Sequence, residues 1–210
     1  MEKTYKFQKK KTYYKQETYE FNLPAGHSCP FANDCKIKVD RITGKFNNLS
    51  KKYRCYAASS ERFPGVRESR WKNYDYVLKN KDIEIPKNAT HIRIHSSGDF
   101  FSQDYFDMWL EICRENPKVK FWAFTKSIQF WINRINKIPN NLTLQASYGS
   151  LQDELISKHN LKYAKVFSDY DQFIKSKLPL DTNDSLAQEG EKSFALLDNT
   201  KKFIRISTIN

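Results

Sequence analysis

The sequence predicts an α/β fold: a partial (β/α) barrel with mostly parallel strands, preceded by a cysteine-bearing N-terminal segment. Three observations lead there. From residue 90 onward, short strand-like apolar runs alternate with helix-like runs at the spacing of βαβ units. The strand-like runs end on small, polar or charged residues, in "HSSGD", "FTKS", "ASYGS" and "FSD", as strands do on the functional face of a barrel. No glycine-rich nucleotide loop follows any of them, which points away from a dinucleotide-binding sheet. Ser, Gly and Asp also serve as plain turn formers, so these ends outline a site without defining its chemistry.

Taken in order, residues 1–22 are basic and aromatic with strand-like alternation. "YKFQKKKTYYKQETY" reads as an edge strand with a solvated face, or as cations and stacking platforms for a single strand of nucleic acid. Residues 23–58 carry Pro24, Gly26, Pro30 and Gly44, which break periodicity and predict loop with a little helix. A helix is expected after Pro64 within 59–80. "THIRIHSS" then reads as a buried strand. "SQDYFDMWLEICREN" reads as a helix capped by Ser102, with Tyr105, Phe106, Trp109, Ile112 and Cys113 on one face. Cys113 on that stripe is a core residue. After Pro117 come a strand in "VKFWAFTKS", a helix in "IQFWINRINKI", a strand in "NLTLQASYGS", a helix in "LQDELISKHN" and a strand in "YAKVFSD". The tail from 176 to 210 holds Asp181, Asp184 and Ser185 before an apolar run, and it predicts a unit that closes the sheet.

The chain has 210 residues, 39% of them hydrophobic and 29% charged, which predicts one domain with a real core. Its parts are the arm and cysteine segment (1–58), the β/α repeats (59–175) and the closing segment (176–210). No apolar run is long enough to span a bilayer, and the charged start "MEKTYKFQKKKTYYK" lacks a signal-peptide core. A cytoplasmic protein with no membrane partner is therefore expected. The net charge of +12 attracts polyanions, nucleic acid first among them, although a lysine-rich surface also serves solubility alone.

Three of the four cysteines, Cys29, Cys35 and Cys55, fall in "GHSCPFANDC" and "YRCYAAS". Clustered cysteines in a reducing compartment serve metals or catalysis more than disulfides. A structural Zn²⁺ site wants four ligands in close pairs such as CxxC, and here His27 would have to complete a Cys₃His set. Three thiolates alone suit a [4Fe–4S] cluster with one open iron, whose exogenous ligand in radical chemistry is S-adenosylmethionine. The "CYA" after Cys55 matches the end of the usual radical-SAM loop, while the spacing of the first two cysteines departs from it. In that layout the next strand end, with Ser97, Gly98 and Asp99, holds the cofactor, with Ser147 at a later strand end. Asp99 and Lys126 are the candidate catalytic residues, and Lys126 with Ser147 would line a substrate pocket. Each has a plainer alternative: Asp99 as a turn residue, Lys126 as a solvated lysine, Ser147 as a small turn former. His95 is either a site base or a satisfied core histidine, and Arg93 either a buried paired cation or a ligand group.

The stretches "LPAGHSCPFANDC", "YRCYAAS", "IRIHSSGDFFSQDYFDMWLEICRENPKVKFWAFTKS" and "DTNDSLAQEGEKSFALL" together resemble the phage gene product 88 family, over roughly residues 20–200. The resemblance implies a phage-encoded protein acting in the host cytoplasm. Two functions stand as expectations. One is an iron–sulfur, radical-SAM-like enzyme acting on a nucleic acid or nucleotide. The other is a non-enzymatic effector with a structural zinc or iron–sulfur site that binds nucleic acid or a host protein.

Overall fold

Strand order in this molecule follows chain order. The computed structural model describes residues 5–10, 16–48, 55–80 and 82–198. Its main sheet runs β1 (Gln8–Lys10), β2 (Thr18–Phe21), β5 (His91–Ile94), β6 (Lys120–Thr125), β7 (Leu142–Ser147), β8 (Tyr163–Phe167), β9 (Phe194–Leu197). The two remaining strands, β3 (Ile37–Val39) and β4 (Phe46–Asn48), form a separate antiparallel hairpin. Within the main sheet only β1 is antiparallel to its neighbour; β2, β5, β6, β7, β8 and β9 are parallel. The fold is mixed α/β with a mostly parallel seven-stranded sheet whose edges are β1 and β9. A doubly wound sheet reverses its strand order and binds ligand at the reversal. Here every step goes the same way, so right-handed crossovers send the helices to one face.

That face carries the main core. Phe21, Ile92, Ile94, Phe121, Ala123, Leu142 and Leu144 pack against α3 (Gln103–Glu115). The expected cap is present: the Tyr105 amide donates to Ser102 Oγ at 3.2 Å. Phe106 and Trp109 are fully buried, each contributing about 1.5–3 kcal/mol. Cys113 is buried in the same stripe. The expected eleven-residue helix after β6 is instead a short α4 (Ile128–Ile132) and a 3₁₀ turn at Ile135–Lys137. Asn133 breaks it: it is a weak helix former, and its side-chain amide donates to Gln103 Oε1 at 2.9 Å. α5 (Asp153–Lys158) follows β7, and α6 (Tyr170–Ser176) follows β8.

The opposite face is treated differently. A single short helix, α7 (Ser185–Glu189), covers its lower half, where Ala187 packs on Trp122, Ala164 and Phe194. The predicted closing unit is therefore α7 plus β9, which pairs with β8. Above α7, among the described residues, that face borders a cavity.

The cysteine segment is held by a polar helix face. α2 (Pro64–Lys79) starts with proline, as expected, but buries Arg67, Arg70, Asn73 and Val77. Arg70 pairs with the buried Glu61 at 2.9 Å, and Glu61 Oε1 also accepts from the Ala25 amide at 2.7 Å. Asn73 Nδ2 donates to the carbonyl of Asn22 at 3.0 Å. Arg67 donates to the carbonyls of Arg41 (2.9 Å) and Ile42 (3.0 Å), fixing the β3–β4 hairpin. The middle of the basic arm (11–15) and the run "KFIRIS" near the C-terminus lie outside the described residues.

Candidate functional site

Every parallel strand delivers its C-terminal end to the same side of the sheet, and the loop after β2 crosses over those ends. Three sets of hydrogen bonds tie it down. Asn22 Oδ1 accepts from the amides of Ser96 and Ser97 at 2.8 and 3.0 Å. The Leu23 amide donates to the Ser97 carbonyl, and Ser97 Oγ donates back to the Leu23 carbonyl, both at 2.9 Å. Further along, the amides of Asn33 and Asp34 donate to the Gly149 carbonyl at 3.1 and 3.0 Å. The ends of β5 and β7 thus anchor the loop on either side of Cys29, the second anchor falling just before Cys35.

Below the loop is a cavity of about 530 Å³, within the range of small-molecule and cofactor sites. Cys29, Cys35 and Cys55 all line it. Cys55 arrives from a distant loop, as the residue that starts α1 (Tyr56–Ser59). All three are free thiols. Cys35 donates to Cys55, which holds Cys35 protonated and favours thiolate at Cys55. Burial pushes Cys29 up, and the charge of Asp99 adds to that. Among the described residues no group of three His, Cys, Asp or Glu is arranged around a single ion. His27 is elsewhere: its Nε2 contacts the Val39 carbonyl at 3.0 Å and its ring packs on Trp71.

Asp99, Lys126, Ser97, Gly98 and Ser147 line the same cavity. Asp99 is a clamp between strand ends. Its Oδ1 accepts from the Phe100 amide and from Thr125 Oγ1, both at 2.7 Å, and its Oδ2 accepts from the Lys126 amide at 2.7 Å. Lys126 Nζ donates to Ser147 O (3.1 Å), Ser147 Oγ (2.9 Å) and the Tyr148 carbonyl. Gly98 has φ +90°, and a Cβ there would meet Leu23 Cβ and Ser28 Oγ at 2.6 Å. The site residues expected from sequence are therefore brought together, and most of their polar atoms hold one strand end to the next.

The other wall was missed apart from Arg93. Arg93 Nη1 pairs with Asp184 at 2.7 Å, its Nη2 donates to Tyr56 Oη at 3.5 Å, and its guanidinium lies 5.2 Å from the Phe124 ring centre. Glu20, on β2, is buried beside it. One signal was available: Glu20 alternates with Tyr19 and Phe21, which places an acid on the face opposite the main core. Among the described residues, five carboxylates (Glu20, Asp99, Asp181, Asp184, Asp198) and three cations (Lys10, Arg93, Lys126) line the cavity, in a chain of net +12.

His95 is buried and has φ +64°. Its Nε2 meets Tyr105 Oη at 2.8 Å, which makes it a core histidine beside the site. Burial pushes it from 6.5 down to about 3, and burial raises Asp99 from 3.8 to about 6 against its hydrogen bonds. The two respond to pH with opposite sign. Neutral His95 stabilises the fold above 6.5, and that contribution is lost as pH falls toward about 3. Protonated Asp99 stabilises it below 3.8, and that contribution is lost as pH rises to about 6. In urea melts of the metal-free protein from acid to neutral pH, His95→Gln should remove the acid-side loss. Asp99→Asn should remove the opposing slope. An unchanged pH profile in both variants would contradict the assignment.

Comparison with known proteins places these features in a family. The family model described as Gene product 88 matches residues 2–205. The Gene 88 protein of Mycobacterium phage L5 is 46% identical over 46 residues, 22% of this chain and 19% of the relative. The Gene 88 protein of Mycobacterium phage D29 is 41% identical over 46 residues, with the same coverage of 22% and 19%. The match thus spans about a fifth of the length of these curated relatives. No solved structure matches. No helix among the described residues is long and apolar enough to cross a membrane.

Proposed function

We propose that this chain, which belongs to the gene product 88 family, is an iron–sulfur protein in which Cys29, Cys35 and Cys55 hold a [4Fe–4S] cluster at the open end of a partial (β/α) barrel. One observation carries the reading. Three thiols from two separate loops line one cavity at the C-terminal ends of six parallel strands, and two of them follow the first of those strands. The donor set fits: thiolates are soft ligands, and three of them leave one iron of a cuboidal cluster open. Each thiolate of such a cluster binds a different iron, so the sulfurs need not surround a single ion. The His27 contacts argue against a Cys₃His zinc site.

The unreversed strand order is the order of a barrel wall, and this supports a radical-SAM-like layout with S-adenosylmethionine as the cofactor. Bound there, such a pair supplies one-electron, radical-forming chemistry. The chain's own part is to hold the reactants and exclude water. The strand end from Ser97 to Asp99 forms the cofactor wall, Lys126 and Ser147 the adjoining wall, and Arg93 with Asp184 the far side. The curated relatives are phage proteins, and we infer a phage origin and a place in the host cytoplasm. Anaerobic purification followed by iron, sulfide and zinc analysis tests the reading. About four irons per chain and a broad visible absorption are expected. Stoichiometric zinc without colour, or no metal at all, would reject it.

A second reading rests on a different surface. Carboxylates outnumber cations among the described residues that line the cavity, so the nucleic acid surface is sought outside it. Arg67 joins two exposed turns, one carrying Arg41, Ile42 and Lys45, the other Arg62 and Phe63. Ile42 is 86% exposed and Phe63 52%. Cations interleaved with exposed apolar groups suit single-stranded nucleic acid. Anisotropy titrations with a labelled single strand should show log K falling with log salt. Lys45→Gln with Arg62→Gln should flatten the slope by about 0.7 for each phosphate that is no longer neutralised. Equal slopes would remove this surface from consideration.

A further inference from the structure

We infer that Lys126 is the fixed counter-charge of the thiolate site, acting on the centre bound there through its field and not through a hydrogen bond. The inference rests on the cluster reading above.

Lys126 is only 7% exposed. An ammonium has three protons, and here each has an acceptor: Ser147 O, Ser147 Oγ and the Tyr148 carbonyl. All three acceptors are neutral. Among the described residues no carboxylate lies within ion-pair distance of Nζ, and Asp99 accepts from the Lys126 backbone amide instead. A buried cation without an ion pair is costly. Every proton of this one is engaged in holding it still. Its backbone is held as well, since Ser150 Oγ donates to the Lys126 carbonyl at 2.7 Å.

The cavity it lines also holds the three thiols and the Asp99 carboxyl. Three thiolates and the iron–sulfur core they bind bring negative charge to that wall. The anion that balances the lysine is thus the bound centre itself, together with Asp99. A fixed positive charge favours whichever redox state carries one more electron. Net charge, hydrogen bonding and exposure are the levers that set cluster potentials, and with no proton to spare Lys126 acts through charge.

The test uses the full chain purified without oxygen, with iron content measured first and the potential second. Lys126→Gln keeps a polar donor, on a side chain one bond shorter, and removes the charge. It should bind iron as the parent does. At a fixed potential its ratio of reduced to oxidised cluster should fall at least tenfold, which is a 59 mV drop for a one-electron couple. Lys126→Arg keeps the charge and should stay near the parent. If Lys126→Gln does not fold, Ser147→Asp neutralises the ammonium from its partner's side and should lower the potential in the same direction. An intact cluster with an unmoved potential in either charge-cancelling variant overturns the inference and leaves the cluster reading standing. A parent chain without iron rejects the cluster reading and this inference with it, and the metal analysis shows that before any potential is measured.

Discussion

Replacing Cys29, Cys35 or Cys55 by serine, one at a time, is expected to strip the chain of iron and visible colour while its melting changes little. On the proposed reading the three act as one donor set, so losing any one leaves two thiolates on a centre that needs three. Outer-shell changes at metal sites already cost roughly 10–100-fold in affinity, and loss of a direct ligand should cost more. The thiols line a cavity and carry little of the main core, which is why stability should be spared. Cys113 is the internal control. It is fully buried on α3, so Cys113→Ala should keep its iron and lose about 1 kcal/mol of stability. Iron retained in all three cavity variants would leave the thiols as packing or redox residues. Iron lost in Cys113→Ala as well would show that the assay reports unfolding. The same preparations answer whether S-adenosylmethionine binds, since its affinity should vanish with the iron.

The second large effect is expected at Gly26, at the entrance to the cysteine loop. Its φ is +72°, and a Cβ there would stand 1.5 Å from the Ile37 carbonyl oxygen. That atom belongs to backbone, in the hairpin that Arg67 fixes, so it cannot rotate away. Gly26→Ala must push β3 and the loop apart. Its cost should exceed about 4 kcal/mol, the range reserved for strain and gross misfit. Gly65 is the contrast. It lies within α2 with nothing within 4 Å of a Cβ, so Gly65→Ala should stabilise by about 0.5–1 kcal/mol. Urea unfolding of the two variants decides the matter. A Gly26→Ala protein within about 1 kcal/mol of the parent would mean that the loop tolerates rearrangement, and iron retention in it would detach the cysteine geometry from that turn.

Much of this molecule is legible in the chain because the signals are local. Ser102 with the stripe Tyr105, Phe106, Trp109 and Cys113 declares α3, since capping and a 3.6-residue period are properties of a single helix. The alternation in "HIRI" and the apolar run in "KFWAFT" declare β5 and β6 for the same reason. The successive strand ends that carry Ser97, Gly98, Asp99, Lys126 and Ser147 follow from the β/α order, because parallel strands bring their C-terminal ends to one side.

What the chain did not disclose is non-local. α2 buries Arg67, Arg70 and Asn73, a polar stripe that hydropathy counts as solvent-facing. Partners such as Glu61, the Ala57 carbonyl and, farther along the chain, the Asn22, Arg41 and Ile42 carbonyls offset the cost of that burial. Asn133 divides the expected second helix through its bond to Gln103 on a neighbouring element. Arg93 pairs with Asp184 across some ninety residues and lies beside the buried Glu20, which sets two carboxylates around one cation. Composition, helix and strand periods and the run of strand ends were determined by the sequence itself, because each arises among residues close along the backbone. That Cys55 joins Cys29 and Cys35 at one cavity, that His27 turns away to Val39 and Trp71, and that Lys126 lies buried with no carboxylate partner among the described residues were decided by tertiary structure, because burial and electrostatic pairing depend on which loops the sheet brings together.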